Sequence, residues 1–228
     1  MTSLPYDAVL FDLDGVLTST AALHAQCWKR TFDDVLAHHG QEPFDIDRDY
    51  VAHVDGRMRE DGVRAFLASR GIDAAPLTVR LIAGRKQALV EQALLRGGVD
   101  AFPGSVRWVC HLRAKGVRTA VVSSSANADA VLYAAGIGDL FELTVDGGDI
   151  TRLGYAGKPA PDGFLEAARR LGVEPSRAVV VEDALAGVAA GRAGEFGLVI
   201  GVARSADPRE LSSAGADMVV DDLGELAP

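Results

Sequence analysis

Six short runs rich in Val, Ile and Leu recur along this chain, and helix-patterned stretches separate them. They are YDAVLFD (6–12), VRTAVVSSS (117–125), FELTVD (141–146), AVVVED (178–183), GLVIGV (197–202) and MVVDD (218–222). A strand that is apolar on both sides cannot face water, so this alternation calls for a parallel sheet covered on both faces by helices. The pattern breaks once. From about residue 20 to 96 the chain reads as helices only: AALHAQCWKRTFDDVLAHH, REDGVRAFLASRG and LTVRLIAGRKQALVEQALLRGG, with breaks at Gly40–Pro43 and Gly71–Pro76. The expected fold class is therefore α/β, with a core domain from residues 1–19 and 97–228 interrupted by a helical domain at 20–96.

Length and charge narrow the function. At 228 residues the chain can bury a sizeable core, and 48% hydrophobic with 24% charged residues is an ordinary globular mixture. A net charge of −9 argues against nucleic acid and against anionic membrane surfaces as partners. No apolar run reaches membrane-spanning length, and MTSLPYD lacks a signal-type start, so a cytoplasmic protein is expected. Cys27 and Cys110 lie far apart in helix-like stretches and read as reduced, core-side thiols. Gly187 and Gly191 share a helix face and read as close packing. The segment GDITRLGYAGKPAP is expected as a loop, with Asp146–Asp149 as a turn and Arg85-Lys86 as a solvated helix face.

In open parallel sheets, ligands gather at the carboxyl ends of the strands. Here the first run ends Asp12-Leu13-Asp14-Gly15, the second Ser123-Ser124-Ser125, and the fourth Glu182-Asp183, while Lys158-Pro159 follows the third. Carboxylates, a hydroxyl and an ammonium would converge on one crevice. Buried carboxylates are costly unless compensated, so turn chemistry alone is a poor reason for the set.

Phosphoryl transfer needs such a set. Asp12 can attack phosphorus and form an acyl phosphate, dividing one hard displacement into two easier ones. Asp14, two residues on, can move a proton to or from the leaving or attacking oxygen. Repulsion between carboxylates and phosphate requires a divalent cation, and Mg²⁺ suits oxygens from Asp12, Asp14 and the Glu182-Asp183 pair. Lys158 and Ser123 would stabilise charge on the phosphoryl oxygens.

In this order the four segments resemble the motifs of the haloacid dehalogenase superfamily, over essentially the whole chain. The resemblance implies a Rossmann-like core with an inserted helical cap, and Asp14 with the acidic pair favours the phosphate-transferring branch. Within it, FDLDGVLTSTAALHAQCWK, GKPAPDGFLEAA and VEDALAGVAAG are similar to the β-phosphoglucomutase family. That family converts β-D-glucose 1-phosphate to glucose 6-phosphate through a bisphosphate and an aspartyl phosphate. The resemblance implies a small phosphorylated sugar as substrate, β-glucose 1,6-bisphosphate as activator or intermediate, and a monomer.

It also implies substrate-side roles for Thr20, His24 and Trp28, which recur every four residues on one helix face, and for Ser125 and Asn127. In DGRMREDGVRAFL, Arg59 matches the arginine that holds the distal phosphate. There are departures: Ser19 replaces a frequent acidic residue, and Asp55 and Ala126 stand at two lysine positions. Arg57 is an extra cation that could compensate. A simple sugar-phosphate phosphatase is therefore the alternative. A phospho-receiver module also uses Asp, Lys and an acidic pair, but receivers are about half this length and place the pair near the first strand.

Overall fold

The computed structural model describes residues 6–227. Its centre is a six-stranded, wholly parallel sheet in the order β3-β2-β1-β4-β5-β6. The strands are β1 (Ala8–Phe11), β2 (Arg118–Val122), β3 (Leu143–Val145), β4 (Ala178–Glu182), β5 (Leu198–Val202) and β6 (Met218–Val220). All six apolar runs of the sequence are strands, and five of them stop short of the last polar residue of the run.

Side chains of a strand alternate between faces, and both faces here are buried. Val9 and Phe11 of β1, with Val121, Val179 and Val181, pack against Trp108, Val109 and Leu112 of helix Pro103–Ala114. Ala8 and Leu10, with Ala120, Val122 and Val180, pack against Phe164, Ala167, Ala168 and Leu171 of helix Asp162–Leu171. The chain runs from β1 to β2 and β3 on one side and from β4 to β5 and β6 on the other. Strand order thus reverses between β1 and β4, which pair in register from Ala8–Ala178 to Phe11–Val181. A crevice opens at such a switch point, and Asp12 and Asp183 follow its two strands.

An inserted helical cap interrupts the core after β1. It contains α1 (Ala21–His38), a π-helical turn at Ile46–Tyr50, and the short α2 (Val51–His53). α3 (Arg59–Ser69) and α4 (Pro76–Leu95) complete it. These helices bury a cluster of their own around Trp28, Phe32, Leu36, Phe44, Phe66 and Leu67, separate from both sheet layers. Two linkers join cap to core side by side: Ser19 N–H donates to Asp100 O at 2.9 Å and Phe102 N–H to Leu17 O at 2.9 Å.

Three expectations need correction. Residues Gly147–Leu153, expected within a loop, form a helix whose N-cap is Asp146, with its side chain accepting from Asp149 N–H. Seven residues that start with two glycines leave little helical pattern to read; the cap and buried Ile150 hold the turn. Cys27 is buried as expected, but Cys110 is exposed. Gly187 and Gly191 are packing residues, yet their neighbour is a strand: a Cβ at Gly187 would strike Glu182, and one at Gly191 would lie 3.0 Å from Val180 of β4.

Candidate active site

A cavity of about 1020 Å³ lies between the strand ends and the cap. Its floor carries Asp12, Asp14, Ser123, Ser124, Ser125, Lys158 and Asp183, and its roof Asp55, Arg57, Arg59, Lys86 and Gln87, with His24 and Trp28 at the side. Among the described residues no helix is long and apolar enough to cross a membrane.

Lys158 organises the floor. Its ammonium donates to Asp12 Oδ1 at 2.5 Å, to Glu182 Oε1 at 2.6 Å and to Val122 O at 3.1 Å, and it is buried. Burial opposes its charge, but the Asp12 and Glu182 carboxylates hold its pKa above the ordinary lysine value. Burial pushes Asp12 up to about 6 and Glu182 up to about 7, against the pull of Lys158 on both. Glu182 does not border the cavity. Its second oxygen accepts from Ala184 N–H at 2.9 Å, so both oxygens are already committed within the protein.

Asp14 points to the cap side. Its Oδ1 accepts from the Thr20 hydroxyl, and His24 Nε2 lies 3.6 Å away. His24 Nδ1 meets the Lys86 ammonium at 2.8 Å. An ammonium only donates, so Nδ1 accepts and the ring proton sits on Nε2, toward Asp14. Burial, with Lys86 and Arg59 nearby, holds the His24 pKa well below its ordinary value, so the ring is neutral. Burial also raises Asp14. Thr20, at the N-cap of α1, sits behind Asp14, outside the cavity wall.

The cavity has an acidic wall. Burial lifts Asp183 well above its ordinary value, reinforced by Asp55, Glu182 and Asp12, and lifts Asp55 to about 7. Asp183 Oδ2 is buried with no hydrogen-bond partner among the described residues. Gly15, at φ 92°, keeps the space beside it open, because any Cβ there would strike the Asp183 carboxylate. Hard oxygens, a surplus of negative charge and an unsatisfied carboxylate oxygen together fit a divalent cation. Among the described residues no three His, Cys, Asp or Glu side chains form a ready cluster. Mg²⁺ keeps several waters and takes few protein ligands, so it does not require such a cluster.

On the roof, the Arg59 guanidinium donates to Gln87 Oε1, and burial lowers its pKa. Arg64, rather than Arg57 or Arg59, pairs with Glu60 and Asp61. Asn127 is bound to Gln87 and does not border the cavity, whereas Ser125 does, its hydroxyl accepting from Asn127 N–H at 3.2 Å. Ser123 Oγ accepts from Ser125 N–H at 3.0 Å.

Sequence reasoning missed two roof residues and misread a third. Lys86, expected on a solvated face beside Arg85, is buried, 5.1 Å from the Trp28 ring centroid, and its pKa falls to about 8 through burial. Arg85 is solvent-facing, paired with Asp34. Gln87 carried no signal as a site residue, and Asp55 stood out only as a departure at a lysine position of the resembled pattern. The one clue was spacing, since Val79, Ile82, Ala83, Lys86 and Val90 lie on the buried face of α4.

Comparison with known proteins agrees with this architecture. A model of the haloacid dehalogenase-like hydrolases matches residues 6–194. A β-phosphoglucomutase of Mycobacterium tuberculosis is 46% identical, covering 96% of this chain and 90% of that relative. The β-phosphoglucomutase of Bacillus subtilis is 33% identical over 96% of this chain and 91% of its own. The crystal structure of β-phosphoglucomutase from Clostridium difficile superposes with a TM-score of 0.78 at 25% identity, covering 97% of this chain and 93% of that one. These likenesses mark an enzyme of the phosphotransferase and hydrolase kind. The chain belongs to the haloacid dehalogenase-like hydrolase family.

Proposed function

We propose that the protein is a Mg²⁺-dependent phosphotransferase acting through an aspartyl phosphate on Asp12, and that it interconverts β-D-glucose 1-phosphate and glucose 6-phosphate. One observation carries the reading. A single cavity has a nucleophile-and-ammonium floor and, lining it from the cap, two further cations, Arg57 and Arg59, with Lys86 held next to Asp14 through His24. A mutase that passes through a bisphosphate must hold two phosphates at once, whereas hydrolysis of a monophosphate ester needs only the floor. The near full-length similarity to β-phosphoglucomutases supports the same substrate.

In this reading, Lys158 holds one oxygen of Asp12 and leaves Oδ2 to attack phosphorus as the ester oxygen departs. Glu182 keeps Lys158 in place. Asp14, steadied by Thr20 and facing the neutral His24, gives the proton to the departing oxygen and later accepts one from the incoming sugar hydroxyl. Burial helps it remain a usable acid. Ser123 and neighbouring N–H groups bind the transferring phosphoryl oxygens. A bound Mg²⁺, held by Asp12, the Asp14 backbone oxygen and Asp183, would supply the positive charge that lets phosphate approach this wall. The roof excludes water so that a sugar hydroxyl discharges Asp12.

A phosphorus NMR time course with Mg²⁺, β-glucose 1-phosphate and a trace of β-glucose 1,6-bisphosphate tests the proposal. Glucose 6-phosphate should accumulate with little free phosphate, and chelation of the metal should stop it. Dominant inorganic phosphate would establish the phosphatase alternative, which draws support from Asp55 and Ala126 standing at lysine positions of the mutase pattern.

A further inference from the structure

Gln87 joins the two halves of the protein. Its Oε1 accepts from the Arg59 guanidinium and from Asn127 Nδ2 at 3.3 Å, and its Nε2 donates to Asn127 Oδ1 at 2.8 Å and to Glu91 Oε1 at 2.7 Å. A guanidinium has only donors, so the amide oxygen must face Arg59, and the amide nitrogen is thereby turned to Asn127 and Glu91. Arg59 and Gln87 belong to the cap; Asn127 is the N-cap of the core helix Ala128–Ala134. The paired amides therefore bridge cap and core at the cavity wall. A second polar bridge between cap and core, Ser124 Oγ to Gly56 O at 2.7 Å, lies near Ser123 and the floor.

The bridge also sets what Arg59 has left to offer. One nitrogen is spent on Gln87, while Nε is buried with no partner among the described residues. A buried, unpaired donor of a charged group is costly, and an anion oxygen entering the cavity would satisfy it. Gln87 is neutral, so it can hold the guanidinium without cancelling its charge, as a carboxylate at this position would.

We propose that Gln87 is a positioning residue and latch: it fastens the cap to the core through Asn127 while aiming Arg59 at the non-transferring phosphate of the substrate. Closure and recognition of the second phosphate then become one event, and the latch decides whether a sugar hydroxyl or water discharges Asp12. This deepens the mutase reading and rests on it. Opening the cap breaks the amide pair. A ligand that lacks the second phosphate leaves Arg59 Nε unpaired and the latch weaker.

The experiment compares the wild type with Gln87→Met, which keeps length and removes all four hydrogen bonds of the amide, and Gln87→Glu, which keeps a partner for Arg59 but adds negative charge. Product partition is followed by phosphorus NMR with Mg²⁺ and β-glucose 1,6-bisphosphate, and cap opening by small-angle scattering and hydrogen exchange at Asn127 and Arg59. Loss of the hydrogen bond to the charged Arg59, with that of the pair to Asn127, predicts about a tenfold rise, in Gln87→Met, of inorganic phosphate relative to glucose 6-phosphate, with faster exchange. Gln87→Glu should weaken the bisphosphate further still. Unchanged partition and exchange in Gln87→Met overturn the proposal, as does a loss of melting temperature alone. If the wild type only hydrolyses its substrate, the mutase reading fails separately. The latch is then judged on scattering and exchange, and a Gln87→Met protein as closed as the wild type removes it.

Discussion

The floor and the roof of the cavity are built from different kinds of constraint. All the floor residues but Lys158 come just after a parallel strand, so sheet register puts them in place: Phe11 pairs with both Val121 and Val181, which sets Asp12 beside the ends of β2 and β4. Lys158 reaches the same floor from the loop between the helices Gly147–Leu153 and Asp162–Leu171. The roof has no such frame. Asp55 and Arg59 come from a loop and a helix start, and Lys86 and Gln87 from one face of α4, so their positions depend on how the cap docks. The floor pairs its charges internally, with Lys158 between Asp12 and Glu182. Lys86 on the roof meets a neutral histidine, and no salt bridge to it is formed among the described residues. The difference suggests that changes to the floor stop chemistry, whereas changes to the roof redirect it and can even stabilise the fold.

The largest expected effect belongs to Asp12, the proposed nucleophile. Asp12→Asn keeps shape and removes the attacking charge, so turnover should fall by at least roughly 10³-fold. A phosphate-release assay on an aryl phosphate measures it, and substantial residual activity would move the nucleophile elsewhere. Lys158→Met should be nearly as severe for activity and should also cost about 3–5 kcal/mol of stability, because it leaves two buried carboxylates without their cation. The pH dependence has a definite sign. Without Lys158 the folded-state pKa values of Asp12 and Glu182 rise further above their unfolded values. The folded state then binds more protons, and stability falls as pH rises. Chemical denaturation of the variant at pH 6 and 8 should show the larger deficit at pH 8.

Lys86→Met is the sharpest test of the roof. The ammonium is buried, and its pKa of about 8 lies below the ordinary 10.5. Between those values the unfolded chain binds more protons than the folded one, so burying Lys86 costs stability in full below about pH 8, and the cost fades toward 10.5. Thermal melts at pH 7 should therefore show the variant more stable, on the order of 2 kcal/mol, with the gain shrinking at high pH. Mutase turnover should drop by about 10²-fold, since His24 loses the donor that fixes its tautomer. A variant that is both less stable and fully active would end the contrast between floor and roof.

The same contrast explains what could be read from the sequence. All six strands were legible, and so was the placing of Asp12, Ser123 and Asp183 at strand ends, because a short apolar run ended by Asp, Ser or Glu carries both its structure and its position in the sheet. Lys158 ends no such run and reaches the floor from a loop. The resemblance added Arg57 and Arg59 on the roof and the helix face of Thr20, His24 and Trp28. Lys86 was not legible: a lysine next to an arginine on a helix reads as solvated, and only docking of α4 against α1 buries it. Asn127 was expected to bind substrate, but the cavity wall is formed by Gln87, whose neutral side chain gives no chemical signal in a sequence. The helix at Gly147–Leu153 was hidden by its two leading glycines.

The smallest effect, Asp55→Asn, probes where roof and floor meet. Asp55 faces Glu182, Asp14, Asp12 and Asp183, with the Tyr50 hydroxyl beside it, and its pKa of about 7 stands above the ordinary 3.8 because it is buried among them. The folded state holds a proton there that the unfolded chain has lost, so this site costs stability progressively as pH rises from about 3.8 through 7. In metal-free protein, Asp55→Asn should match the wild type near pH 4 and exceed it at pH 8 by about 1 kcal/mol. Mg²⁺ should narrow that gap, because a cation at Asp12 and Asp183 offsets the repulsion that the substitution removes. Denaturation curves at the two pH values, with and without Mg²⁺, measure both effects. An advantage independent of Mg²⁺ would mean that the roof carboxylate and the floor do not share one electrostatic site.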